Sequence, residues 1–440
     1  MLRWSVVVGL VLIGWAGLAA QPDATAIVIA GARVFDVATG RTSAPASVVI
    51  EDGRISAVQT EPGALPAAAT VIDATGLTLL PGLTDLVVDA APSAWVDPDY
   101  YYALGLAHGV TAYRLVDAPL GWAVDEKRRA ARLDLLAPRL SIAGPGLELR
   151  RGPDPEGRTD ATSLDGRVRV GDGPGLEREI ARAAGRKADW VHLGPTVGPE
   201  HVRLAMAAAR RVRLRVSAEP GEAGLVELAR AGVHAIIGLG APGAAPESSD
   251  GRSLARVAAE THTVLVPLLR QSADWALDPS NPLIARELEV LPRRFRDDVS
   301  KRLGRRGDRG AERAWRSRRD LVRTFVAAGG RVATGSGSGA LGWPIPGLAA
   351  LHEVQLLADA GVSPLDAIRA ATVHASAAFG TGDRAARIRV GAAADLVGVE
   401  GDPSKEIRSL TRVRLVIRGG EVIDREALLR QAGRAASRLR

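Results

Sequence analysis

Apolar and polar positions alternate in short blocks over the first hundred residues. "AIVIAGARVFDVATG", "ASVVIEDGRISAVQT" and "TVIDATGLTLLPG" are β-branched runs broken by Gly, Asp and Pro, a pattern that predicts a small antiparallel sheet. The same texture returns near the far end in "GAAADLVGVEGDP" and "VRLVIRGGEVID". Two such pieces around a long central region predict one small β-domain assembled from both ends, with the centre inserted between its halves.

The central region has a different rhythm. Strand-like runs fall at 83–88, 110–116, 139–143, 189–193, 212–216, 233–237, 263–269 and 331–334, separated mostly by amphipathic Ala/Arg/Leu segments such as "PEHVRLAMAAARR". Several of these segments end in Gly just before the next run, as in "LAHGV" and "ARAGV", which suits a C-cap and a tight turn. Alternation of strand and helix implies parallel strands with helices outside. Eight units over about 250 residues predict an α/β fold, a closed (β/α)8 barrel of the TIM type, inserted in a composite β-sandwich domain. The competing arrangement is an open doubly wound sheet, but no Gly-x-Gly-x-x-Gly opens the first helix. The expected division is a leader at 1–20, sandwich pieces at 21–80 and 384–423, the barrel with its following helices at 81–383, and a helical tail at 424–440. A barrel of this kind carries its chemistry just past the strand ends.

Composition changes this picture in three places. "MLRWSVVVGLVLIGWAGLAA" has one early arginine, an apolar run and small residues before Gln21, the layout of a secretory signal peptide. The protein is therefore expected to be secreted or periplasmic, with no other membrane span. There are no cysteines, which excludes disulfides and thiolate metal sites. Residues 293–320 hold 12 Arg/Lys against 5 Asp/Glu, an excess equal to the formal charge of +7 for the whole chain. That segment is a candidate docking face for an anionic partner, or else a solvated helix face. No nucleic-acid-binding module accompanies it.

The motifs bring a family into view. "VVIEDGRISAV" followed by "VIDATGLTLLPGLTD", then "GVTAYR", "ADWVHL", "ALHEVQLLADAGVSPLDAIRAATVHASAAFG" and "IRVGAAADLVGVEGDP" together resemble the metal-dependent amidohydrolase superfamily, in its imidazolonepropionase-like and prolidase-like branch. The resemblance runs from about residue 26 to 423. It implies hydrolysis of carbon–nitrogen bonds at zinc or another divalent ion in the barrel mouth. It also implies two histidines after strand one, a carboxylated lysine on strand four, histidines after strands five and six, and an aspartate after strand eight.

Carried over position by position, those places hold Val87 and Asp89, His192, Ala218, Gly238 and Gly337. Valine, alanine and glycine side chains cannot ligate an ion. The expectation is thus a barrel with its metal ligands largely lost: no cofactor, no confident catalytic residue, and a binding or structural role toward an unknown small molecule or protein. The alternative is a working hydrolase of amide, cyclic amide or peptide bonds with a rebuilt metal site, for which Asp89, His192 and Glu219 are the candidates. Arg215, in the alternating run "RVRLRV", is a candidate to point into the mouth near Asp89 or Glu219, or else to run outward between helices. Ser336 and Ser338 in "GSGSG" are candidates to line a ligand pocket at the strand-eight rim.

Overall fold

A computed structural model of the chain describes residues 26–60, 66, 68–90, 97–150, 161–162, 166–241, 246, 250–272, 282–291, 296–297, 299, 301, 309–339, 345–380 and 386–438. The leader at 1–20 and much of 293–308 lie outside the described residues.

Five strands open the fold: β1 (Ile27–Asp36), β2 (Arg41–Glu51), β3 (Arg54–Gln59), β4 (Thr70–Asp73) and β5 (Leu77–Pro81). The chain then enters the barrel. It runs through β6 (Leu83–Val88), α1 (Pro98–Ala107), β7 (Val110–Leu115), α2 (Leu120–Ala131), β8 (Arg139–Ile142), β9 (Gly146–Leu149), β10 (Ala161–Thr162), β11 (Val168–Val170), α3 (Gly173–Gly185) and β12 (Trp190–Leu193). Next come α4 (Pro199–Arg211), β13 (Arg215–Ala218), α5 (Leu225–Ala231), β14 (Ala235–Ile237), α6 (Gly251–Thr261), β15 (Val264–Val266), α7 (Leu269–Ser272), α8 (Pro282–Val290) and α9 (Arg309–Ala327). After α10 (Leu348–Asp359), α11 (Pro364–Ala371) and α12 (Val373–Phe379), β16 (Leu396–Glu400), β17 (Val413–Arg418) and β18 (Glu421–Val422) return to the first sheet. The last helix, α13 (Arg425–Arg438), packs on α1.

The first sheet has the order β18-β17-β16-β5-β1-β2-β3, with β4 beside β1. Its two ends of sequence meet where β5 pairs antiparallel with β16 from Leu77↔Glu400 to Pro81↔Leu396. The sheet is mixed rather than wholly antiparallel, because β1 runs parallel to both β4 and β5. It encloses its own apolar core of Ile29, Val48, Ile50, Ile55, Leu79, Leu396 and Ile417, among others.

The barrel strands run parallel, β6-β7-β8 on one side and β9-β12-β13-β14-β15 on the other. The third barrel strand is split into β8 and β9, with Gly144 at φ +67 between them. Residues 331–338 supply the eighth strand. Leu265 N and Ala333 N bond to Arg331 O and Leu265 O on one side; Leu86 N and Asp89 N reach Thr334 O and Ser338 O on the other. That double ladder closes the barrel. Its interior is filled by Leu86, Val116, Trp190, Ala235, Ile237, Val264, Val266 and Ala333, as a closed (β/α)8 barrel requires.

The fifth barrel strand is displaced from its expected place. Helix α4 continues to Arg211, and Arg213 turns the chain at φ +58 before β13 begins at Arg215. The alternation in "RVRLRV" is therefore a helix end and a turn, not a strand face. Among the described residues no helix is long and apolar enough to cross a membrane.

Candidate metal centre

Three donors meet at the C-terminal ends of the second, fourth and fifth barrel strands. Asp117 lies two residues past β7, His192 is the third residue of β12, and Glu219 follows β13 directly. One ligand atom from each can be chosen so that all lie within 4.8 Å of one another. His192 is fully buried and hydrogen-bonds on both ring nitrogens: Nδ1 to Ser217 Oγ at 3.0 Å and Nε2 to Glu219 Oε1 at 3.0 Å. Ser217 Oγ in turn accepts from Arg114 Nη1 at 2.6 Å. Arg114 is wholly buried, bonds Leu86 O through Nε, and lies 4.8 Å over the Trp190 ring. The imidazole is thus gripped from the barrel interior and presents one edge to the mouth.

Local backbone geometry delivers Asp117. It sits at φ +52, a conformation Asp adopts more readily than most residues, and its Oδ1 accepts from Gly146 N at 3.0 Å. Gly166 lies against it so closely that a Cβ there would fall 2.1 Å from Asp117 O. The next residue, Arg167, reaches into the cluster. Its guanidinium bonds Glu219 Oε1 at 2.6 Å, Glu148 Oε1 at 3.0 Å and Asp117 Oδ2 at 3.2 Å. Arg169 pairs with Glu148 from the outer side at 3.2 Å.

Burial disfavours the charged form of all three groups, and their partners decide the net shift of each. It is the main cause raising the Asp117 carboxyl, with repulsion from Glu219 added and only partly offset by His192 and Arg167. Burial pushes Glu219 up as well, but hydrogen bonds from His192 and Arg167 outweigh it and hold the group at about 2. Burial disfavours the charged form of Arg167; Asp117 and Glu219 overcome that and keep it firmly protonated.

These residues fit a divalent ion. Histidine nitrogen with two carboxylates is a common ligand set for zinc and similar ions. In a tetrahedral site with ~2.1 Å bonds the donors stand about 3.4 Å apart, so the three ligands need small closing motions once Arg167 gives up the carboxylate oxygens it bonds. Charge points the same way. With Arg169 pairing Glu148, Arg167 sets one positive charge against the two of Asp117 and Glu219.

The mouth is therefore not stripped of ligands. The expectation of a degenerate barrel without catalytic residues or metal is corrected by the convergence of Asp117, His192 and Glu219. Val87, Ala218, Gly238 and Gly337 offer no donor side chain, but the cluster does not need them. Of the candidate set, His192 and Glu219 come together and Asp117 takes the third place; Asp89 stands apart, near Gly339. Arg215 is not in the mouth: at the opposite end of its strand it donates to Ala377 O and Ala378 O at 3.0 and 2.7 Å. Ser336 and Ser338 are buried and bond each other at 2.8 Å, so they pack the strand-eight turn rather than line a pocket.

Sequence reasoning missed Asp117 and Arg167. Asp117 directly follows the apolar run "VTAYRLV", and inspecting every strand end would have found it. Arg167 lies in a stretch with no periodicity to place it.

Comparison with known proteins supports the fold and the family. Residues 191–423 match the Amidohydrolase family. Adenine deaminase 2 of Rhizobium etli is 34% identical over 133 residues, covering 28% of this chain and 22% of that protein; the chain thus spans about a fifth of that relative. A putative prolidase from Bifidobacterium longum superposes with a TM-score of 0.69 at 20% identity, over 93% of this chain and 100% of the other. Molinate hydrolase gives 0.70 at 18% identity, over 92% and 96%.

Proposed function

The chain belongs to the amidohydrolase family, and from that premise we propose that it hydrolyses a carbon–nitrogen bond, in an amide, cyclic amide or peptide, at a divalent metal in the barrel mouth. The observation that carries this reading is the convergence of Asp117, His192 and Glu219. Asp117 and Glu219 would hold the ion through carboxylate oxygens, and His192 through Nε2. When bound, a divalent ion supplies Lewis acidity, lowering the pKa of water and polarising a carbonyl.

The surrounding residues serve that centre. Ser217 and Arg114 fix the imidazole plane from behind, as partners of metal-binding histidines commonly do. Arg167 pairs with the Glu219 and Asp117 carboxylates and would yield those oxygens to an ion as it binds. Names among the structural neighbours, prolidase and molinate hydrolase, support hydrolysis as the reaction class. The apolar leader in the sequence supports a secreted or periplasmic setting, the second part of this proposal.

The test is metal content. Full-length protein incubated with zinc or manganese and then desalted should retain about one ion per chain, and His192→Ala should retain none. An unchanged ion count in His192→Ala, or no retained metal in the parent, would refute the proposal.

A further inference from the structure

An arginine stands among the candidate metal ligands, in a seat that glycines clear for it. A Cβ on Gly146 would fall 3.3 Å from Arg167 Cγ and 2.5 Å from Asp117 Oδ1. One on Gly194 would fall 2.9 Å from Arg167 Nη1 and 2.6 Å from Glu148 Cγ. Gly166, at φ +75, lets the chain turn closely against Asp117 just before Arg167. The arginine side chain is 17% exposed.

Its guanidinium serves two sets of partners. Inward, Nη2 donates to Glu219 Oε1 at 2.6 Å and to Asp117 Oδ2 at 3.2 Å, and Nη1 adds Glu219 Oε2 at 3.3 Å. Outward, Nη1 donates to Glu148 Oε1 at 3.0 Å, and Arg169 fixes Glu148 from its other oxygen at 3.2 Å. Glu148 is not one of the three converging ligands. It can therefore keep Arg167 when the inner bonds break.

Charge decides what holds the inner seat. A monovalent cation offers Asp117 and Glu219 no more charge than the guanidinium, and none of its fixed hydrogen bonds. A divalent ion offers twice the charge, and it cannot share those oxygens with Arg167 without setting like charges in contact. We propose that Arg167 is a charge-selective latch on the mouth. It covers the Asp117 and Glu219 carboxylates against monovalent cations and moves to Glu148 alone when a divalent ion binds. The latch rests on the metal reading of the mouth and adds its control, since differential affinity for the two seats makes ion entry open the site.

The experiment labels full-length protein with phenylglyoxal and reads arginine modification by peptide mass spectrometry, with the exposed Arg213 as internal standard. In chelator-treated protein Arg167 should label about tenfold more slowly than Arg213, the scale of one charge-assisted hydrogen bond. Zinc should raise the Arg167 rate severalfold, and potassium at equal ionic strength should leave it unchanged. Asp117→Asn and Glu219→Gln each weaken the inner seat without any metal, and each should raise the rate too. Zinc bound per chain is counted on the same samples. Bound zinc with an unchanged or lower Arg167 rate overturns the latch and spares the metal reading. No bound zinc removes the metal reading and zinc-driven release together. Arg167 as reactive as Arg213 after chelation, potassium matching zinc, or no rise in either carboxylate variant also overturns the latch.

Discussion

At the scale of single residues, the cluster in the mouth is a competition for two carboxylates. Arg167 already pairs with Asp117 and Glu219, and a divalent ion would seek the same oxygens. Replacing Arg167 by Met removes the resident cation and should tighten manganese binding about tenfold, the ~1.4 kcal/mol scale of one partly buried charge interaction. The same change should lower the melting temperature of metal-free protein, because like charges are left facing each other. Weaker manganese binding in the variant would instead make Arg167 a support for the ligands. Asp85 gives a separate test. It is fully buried, bonded through Oδ1 to Val87 N and Ser336 N, and burial raises its carboxyl to about 6 against the combined pull of those bonds and Arg114. An acid raised on folding binds more protons in the native state between its unfolded and folded values. Its contribution to stability is therefore present below about pH 4 and lost as pH rises through about 6. The loss is at most about 3 kcal/mol. Urea titrations at pH 4, 5, 6 and 7 should show this slope, and Asp85→Asn should flatten it. His192 and Glu219 were legible in the sequence because the barrel rule sends attention to strand ends. Asp117 lies at a strand end by the same rule and was passed over because the family pattern assigns no ligand to strand two.

Elements were legible where periodicity was strong and blurred where helix and strand compete for the same residues. The "RVRLRV" run satisfies period two as written, yet α4 claims its first residue and a positive φ at Arg213 spends two more on a turn. Only Arg215 and Val216 remain in β13, at the foot of the barrel. The contact of α1 with β7 shows what pattern alone cannot supply. Gly105 sits where a Cβ would fall 1.9 Å from Tyr113 Oη and 2.5 Å from its Cζ. Both residues are buried, and Tyr113 Oη bonds Tyr101 O at 3.2 Å. Gly105→Ala should therefore cost about 1–3 kcal/mol by forcing the helix outward or the ring off its rotamer. Chemical denaturation of the single variant and of Gly105→Ala with Tyr113→Phe measures it. The double variant should recover part of the loss; a fully tolerated single change would mean the helix shifts freely.

At the scale of the molecule, the composite β-domain was visible in the sequence as matching texture at both ends, and the residue that fastens it to the barrel was not. Asp395 is that residue. Its carboxylate pairs with Arg139 at the start of β8, its Oδ1 accepts from Gly419 N at 2.6 Å, and its backbone carbonyl accepts from Gly82 N at 2.9 Å. One aspartate near the end of the chain thus ties the first barrel strand, the third barrel strand and the returning sheet together. Arg139 is 37% exposed and Asp395 14%, so the pair lies between the surface case of under 1 kcal/mol and the buried case of 3–5. Asp395→Ala should cost about 2 kcal/mol. The β5–β16 ladder, with five residue pairs in register, should still couple the two sheets, so unfolding should remain a single transition by circular dichroism and by tryptophan fluorescence. Two separated transitions would mean that the ladder is not enough, and that Asp395 alone makes the barrel and the β-domain melt as one body.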